Sequence, residues 1–531
     1  MNELFACSKE STLLFDAMCG LSYKTRNVVH LGLGFICVFL AFNSQGFIEE
    51  TAIDNAENMN KHAGYYSLAI IYAFSMGTNM IVAPLVDFLG PRLSMAGGSF
   101  MYTLFQIGML FLNEPYLYIS SALLGIGSGF VWTGQGKYLS MNSTKKTAGR
   151  NSGLLWGMLQ TSLVGGGLFL FGIFSGLETD TIDKRTRQII YGVFSAVSLI
   201  GNVLLAFIPM HDLTDQNEDT DEEKNPKKEM SQLQVLTGAF RLLITPHMLL
   251  LVISFIYTGL ELSYWSGVYS TAISRTRTFK FNRHKIVGLN AICQGIGQII
   301  GGLCFGIFGD KFRRYGRNPI VITGYVAHLV CFVLSFINLP PDANLRNTWK
   351  DAYITPNIAL ALIVSVLLGF GDAAWNTQMY SILIGVYSEK IAQAFSIMKF
   401  FQTLCGATRA EKSDIEALVI ARIIDADGKT ICLRGCLNAN MSQKMLFPVV
   451  QAAAACGAFF YTSAIELRWI LLILLITSTI GVSAFFYVEI WAHRKSREKE
   501  AEEEKSQEKE AEEDTASAAA ESVKVEETEA A

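Results

Sequence analysis

Residues 367–378 read LLGFGDAAWNTQ, and residues 123–135 read LLGIGSGFVWTGQ. Leu123 pairs with Leu367, Trp132 with Trp375 and Gln135 with Gln378, about 243 positions apart each time. A second pair follows in the same order: RNSGLLWGMLQ at 150–160 and AQAFSIMKFFQ at 392–402. A third pair is a loop: APLVDFLGPR at 83–92 and GIFGDKFRRYGR at 306–317. Each match lies at the start or end of an apolar run. Three collinear matches point to a duplicated unit.

The composition says where such a unit would sit. Of 531 residues, 51% are hydrophobic and only 17% are charged, against about 25% charged in soluble proteins. Mean hydropathy is +0.32. Charge gathers in loops and the tail. Apolar runs fall at 28–48, 66–86, 93–112, 116–132, 153–174, 189–210, 248–268, 286–308, 319–339, 358–384 and 467–491. Runs of about 17–25 residues cross a hydrocarbon core as helix. With one further span expected between 391 and 463, the reading is an all-α, multi-pass membrane protein of about twelve helices in two pseudo-symmetric six-helix halves.

Several classes are disfavoured. The first 24 residues carry charge and no long apolar core, so the first span itself would act as insertion signal. Of the ten cysteines, Cys37, Cys293, Cys304 and Cys331 lie inside spans, with no CxxC spacing for metal. No Walker loop, HExxH or GxSxG is present. The expectation is no enzyme, cofactor or metal site, and no nucleic-acid partner. The partner implied by composition is the lipid bilayer.

The organisation follows from the seam. HDLTDQNEDTDEEKNPKK at 211–228 is polar and acidic and reads as a linker. The expected layout is 1–26 an N-terminal cytosolic segment, 27–210 the first half, 211–246 an acidic cytosolic linker, 247–491 the second half and 492–531 a charged, disordered tail. An even span count places both termini in the cytosol. Lys24, Arg26, Lys145, Lys146, Arg150, Arg494 and Lys495 agree with that; the basic run 275–285 does not.

Two parallel halves around a midplane cavity is the major facilitator plan. The loop pair resembles that superfamily's signature of Gly, Asp, Gly and basic residues. Asp87, Gly90 and Arg92 carry it in the first half, with Ala83 in place of the first Gly. Gly306, Asp310, Gly316 and Arg317 carry it in the second. The resemblance implies a charged latch between the halves; a tight hydrophilic turn is the alternative.

Other stretches are more specific. YTGLELSYWSGVYSTAI at 257–273, GRNSGLLWGMLQ at 149–160, LAIIYAFSMGTNMIVAP at 68–84, WTGQG at 132–136 and GDAAWNTQ at 371–378 resemble the Unc-93-like branch of the major facilitators. The resemblance covers roughly 27–402 and 452–490. It implies a non-catalytic regulator or escort of a channel or other membrane protein. The alternative from another class is a proton- or ion-coupled secondary transporter.

Glu261 and Asp372 are lone acids in mid-span. A carboxylate at bilayer centre costs about 2.5–3.5 kcal/mol, so it faces a cavity or a partner. Each is either a coupling group or a structural hydrogen-bonder. Gln135 and Gln378, with Gln45, Gln106 and Gln160, are candidates to line a polar cavity. His30 and His328 read as packing or interface residues, and Gly125–Gly129 and Gly165–Gly167 as packing devices.

One segment departs from the family pattern. Between IMKFFQ at 397–402 and AAAACGAFFY at 452–461 lies an insert, about 403–451, containing RAEKSDIEAL. Charged backbone does not sit in lipid. The insert is an alternative exon or gene-model error, or it loops outside while 445–463 serves as the span. In the second case 391–407 would be a partial or interfacial helix.

Overall fold

The computed structural model describes residues 22–46, 63–144, 146–176, 184–210, 232–312, 316–406 and 465–529. In the first half α1 is Tyr23–Gly46, α2 Ala63–Phe111, α3 Glu114–Met141, α4 Ala148–Gly176 and α5 Lys184–Ala206. A short helix, α6 (Gln232–Leu243), leads into the second half. There α7 is Pro246–Arg275, α8 Arg283–Phe312, α9 Asn318–Asn338, α10 Ile358–Val386, α11 Ile391–Gly406 and α12 Leu467–Glu529.

Ten of these helices are long and apolar enough to span a membrane. One of them does so twice. α2 has 49 residues, about 73 Å at 1.5 Å per residue, more than twice the hydrocarbon thickness. Gly90 breaks it at φ 76° and ψ 159°, a conformation open to glycine alone. Pro91 starts the next stretch, where a missing N–H costs nothing. Gly316, between α8 and α9, is the other glycine of positive φ among the described residues, at 71°. The loop match read from the sequence is thus a match of backbone. The repeat extends to the caps. Asn113 accepts from the Tyr116 amide at the start of α3, and Asn357 from the Ala359 and Leu360 amides at the start of α10.

α11 is shorter than the ten candidate spans. Its 16 residues span about 24 Å. Ala394, Phe395, Met398 and Phe401 are buried, and the helix packs against α2, α3 and α7. Of the two forms expected for 391–407, partial or interfacial, this burial speaks against the interfacial one, and the 16-residue length fits a partial helix. The segment is short, but it lies inside the bundle, because its apolar face has partners from both halves. The expected span at 445–463 and most of the insert lie outside the described residues, as do 211–231 of the linker. The remainder of the linker includes α6, which packs on α2 and α11. α12 continues as helix to Glu529, where the sequence reading allowed a frayed helix or disorder; its Glu-, Lys- and Ala-rich sequence is rich in strong helix formers.

The halves meet along α4 and α8, which run antiparallel. A Cβ on Gly153 would lie 2.5 Å from the Gly302 carbonyl oxygen and 2.7 Å from the Gly306 nitrogen. A Cβ on Gly302 would lie 2.7 Å from the Gly157 nitrogen. Further along, Gly295 meets Val164 and Gly167 meets Gly288. Lipid supplies no hydrophobic force between helices, so close backbone approach through small residues is what joins them.

On the side away from the linker, the 339–357 loop straps α7 to α12. Arg277 N donates to Thr348 O, Thr348 N to Arg275 O and Leu467 N to Pro341 O. Asp342 anchors the strap. Its Oδ2 lies 2.9 Å from Arg346 Nη2 and 3.1 Å from Lys350 Nζ. Burial pushes this carboxyl up, but hydrogen bonds from Lys350 and Arg346 outweigh it and hold Asp342 below the usual carboxylate range.

Two outcomes follow from these contacts. Gly153→Val forces backbone apart at the α4–α8 crossing and should lower stability by about 1–3 kcal/mol. Gly97→Ala, where a Cβ meets nothing within 4 Å, should leave the melting temperature unchanged or higher. Equal melting of both variants in detergent would refute the seam as described. For Asp342 the folded state holds the depressed value. Its contribution is present above the unfolded value, about pH 4, and is lost as pH falls through the folded one. An acid melting series should show less loss below about pH 4 in Asp342→Asn than in the unchanged chain.

Candidate functional site

Both acids singled out from the sequence are buried in the second half, Glu261 on α7 and Asp372 on α10, at 1% and 2% exposure. They come together, near enough for the two carboxyls to act on each other electrostatically. α7 widens into a π turn at Tyr264–Tyr269, just beyond Glu261, a distortion that recurs at functional positions.

His328 on α9 joins them. Its Nε2 is 3.4 Å from Glu261 Oε1 and 3.3 Å from the Leu368 carbonyl oxygen. Its Nδ1 is 2.5 Å from the Tyr257 hydroxyl. Nε2 faces two oxygens and so carries the proton; Nδ1 then accepts from Tyr257. Of the two expectations for His328, packing or interface, these contacts between helices fit the second. His30, by contrast, is an interface residue, its Nε2 3.0 Å from the Leu204 carbonyl oxygen.

From Asp372 the network runs to the seam. Asn376 Nδ2 donates to Asp372 Oδ1 at 2.8 Å. Gln402 Nε2 donates to Asn376 Oδ1 and to Thr258 Oγ1, each at 3.2 Å. Lys399 Nζ donates to Gln402 Oε1 at 2.8 Å. That ammonium lies 4.3 Å over the Trp132 ring of α3, in the first half. Four helices of one half thus hold two acids, a histidine and a lysine in one connected set. Lys399 was missed in the sequence, although a single lysine in the apolar run IMKFFQ is the signal that would have found it.

The two glutamines matched by the repeat stay outside this network. Gln378 donates to Thr377 Oγ1 at 3.3 Å. Gln135 is buried, and its Oε1 has no partner. Among the described residues, no group of three or more His, Cys, Asp or Glu could hold a metal ion.

The signature loops are placed differently from the expected latch. Asp87 Oδ1 pairs with Lys137 Nζ at 2.6 Å, joining α2 to α3 inside the first half. Arg92, past the break at Gly90, is exposed. Gly306 lies in the α4–α8 seam against Gly153. The Asp310 side chain lies outside what the structure describes. Gly316 turns the chain so that Arg317 grips Glu489 of α12 twice, N to Oε1 at 2.9 Å and Nη1 to Oε2 at 2.8 Å. Arg317 Nε also donates to Ser381 Oγ of α10 at 2.9 Å. These charges close within one half each, not across the halves. Glu489 is fully buried, so removing Arg317 alone would strand a charge, at about 3–5 kcal/mol. Glu489 was missed because it sits at the end of an apolar run, where acids are common.

Comparison with known proteins agrees with this architecture. The family model described as ion channel regulatory protein UNC-93 matches residues 55–420. UNC93-like protein MFSD11 of Xenopus tropicalis is 33% identical over 493 residues, covering 90% of this chain and 98% of that protein. Two solved structures share the fold. One is the major facilitator superfamily transporter FucP in the outward conformation, with TM-score 0.50 and 13% identity, covering 86% of this chain and 98% of that one. The other is a bacterial homologue of the iron transporter ferroportin in an outward-facing state, with TM-score 0.53 and 10% identity, covering 88% and 99%. The chain belongs to the Unc-93 family of ion channel regulatory proteins and is a multi-pass membrane protein with the major facilitator fold.

Proposed function

We propose that this chain is a non-catalytic regulator or escort of a channel or another membrane protein. The family match along 55–420 carries the reading. The signature loops support it. Asp87–Lys137 and Arg317–Glu489 brace each half internally, which suits a stable surface offered to a partner. Both termini and the linker belong on the cytosolic side in this reading.

A second reading is a proton- or ion-coupled secondary transporter of a small solute. Glu261, Asp372, His328 and Lys399 favour it. Four ionisable groups inside a bundle are costly, and such groups mark ion or proton pathways. A coupling pair must change protonation as the protein cycles, and Glu261 with Asp372 has the layout for that.

Glu261→Gln and Asp372→Asn separate the two. Both keep hydrogen-bonding capacity and remove the charge. For a regulator, purified chain in liposomes with an internal pH-sensitive dye should show no solute-dependent proton flux. The variants should then alter folding and partner assembly together, by about 1–3 kcal/mol. Solute-driven proton flux that vanishes in Glu261→Gln, with the variant still folded, would overturn the regulator reading. Protease added to sealed, oriented vesicles tests the topology. It should cut the linker and the tail from the same, cytosolic face; cuts on opposite faces would sink an even number of crossings.

A further inference from the structure

We propose that the seam between the halves holds a binding site for a small organic anion, a carboxylate with an apolar body, anchored on Lys399. The lysine is 7% exposed. An ammonium has three N–H donors. Here one donates to Gln402 Oε1, while the rings of Trp132 and Tyr380 lie 4.3 and 5.4 Å away. Among the described residues Lys399 forms no ion pair, and Asp372 acts on it only at longer range. A desolvated cation held by ring faces and one amide is short of an acceptor. A ligand carboxylate would supply it.

Two further side-chain amides in the same wall each leave one atom without a partner. Gln135 is one turn beyond Trp132 on α3, on the same face; it is 2% exposed and its Oε1 accepts nothing. Gln298 on α8 is fully buried. Its Oε1 takes the Trp156 Nε1–H at 3.0 Å, and its Nε2 donates to nothing. Trp156 in turn meets Tyr380 edge to face at 5.8 Å. The wall therefore alternates between halves: Trp132, Gln135 and Trp156 from the first, Lys399, Tyr380 and Gln298 from the second. Its chemistry is one cation, aromatic faces and amides of both polarities. A carboxylate would seat on Lys399, its apolar body would lie on the rings, and any further polar group would meet Gln135 or Gln298. A cationic solute would meet the ammonium and be repelled.

The inference concerns binding alone and stands apart from both readings of the function. The test therefore uses no gradient and no partner. Full-length chain in detergent is titrated with benzoate while tryptophan fluorescence is followed, since Trp132 and Trp156 line the wall. Benzylammonium and inorganic phosphate are titrated in parallel, to separate charge sign and to separate a carboxylate with a ring from an anion alone. Saturable quenching by benzoate is expected, with phosphate weaker and benzylammonium inert. Lys399→Gln should weaken benzoate about ten- to hundredfold, and Lys399→Arg should retain most of the affinity. Gln135→Leu, which adds no buried charge, should weaken it several-fold and serves if Lys399→Gln does not fold. The proposal is overturned by absence of saturable benzoate quenching. It is equally overturned by unchanged affinity in folded Lys399→Gln or Gln135→Leu, or by benzylammonium binding as tightly as benzoate.

Discussion

The close backbone approach of α4 and α8 is the contact on which the rest of the molecule depends. In lipid, apolar side chains gain nothing by leaving hydrocarbon for other apolar side chains, so two six-helix halves need another reason to adhere. Gly153, Gly157, Gly302 and Gly306 supply it by letting the two backbones touch. That contact fixes the antiparallel register of the two helices. The register in turn sets Trp156 of the first half against Gln298 and Tyr380 of the second. The position of the seam wall is thus a consequence of four residues that have no side chains.

The charged network obeys a different constraint. A buried charge is tolerated where its partners are fixed before it arrives. Asp372 and His328 meet that condition through Asn376, Tyr257 and the Leu368 carbonyl, and Glu261 has His328 beside it. Each partner sits on a helix already locked by packing, with Trp375 and Tyr257 fully buried beside each other. Lys399 meets the condition least. Its charge rests on ring faces that belong to both halves, so its environment would change most if the halves moved.

The sequence made the fold legible through periodicity and repetition, both local properties. The Asp–Gly loops marked the two positive-φ glycines of the described residues, because glycine reaches that backbone without strain. Glu261 and Asp372 were legible because a lone acid in a long apolar run has few innocent explanations. What the sequence hid were relations between distant helices. Nothing local distinguishes His328 from a packing histidine until α7 brings Tyr257 and Glu261 to it. Lys399 was hidden for another reason: α11 is short and precedes the insert, so its one charge read as part of a broken span. The partners of the signature charges were hidden too, because a motif names residue types and not their partners. Arg317 finds Glu489 only through the fold.

The repeat that defines the fold also shows where the halves parted. Ser128 holds the place in α3 that Asp372 holds in α10. Ser128 spends its hydroxyl on Ser75 and the Gly125 carbonyl, a packing contact between α2 and α3. Trp132 and Trp375 are likewise equivalent. Trp375 is sealed against Tyr257 inside its own half, whereas Trp132 turns its face to Lys399 of the other. Among the described residues, the ionisable groups of the central network, Glu261, His328, Asp372 and Lys399, all come from the second half. The first half answers with rings and amides. A duplicated frame with charge on one side and a neutral, aromatic wall on the other has a direction built into it. Relative motion of the halves would slide a cation across ring faces and, among the described residues, would break no ion pair within the seam.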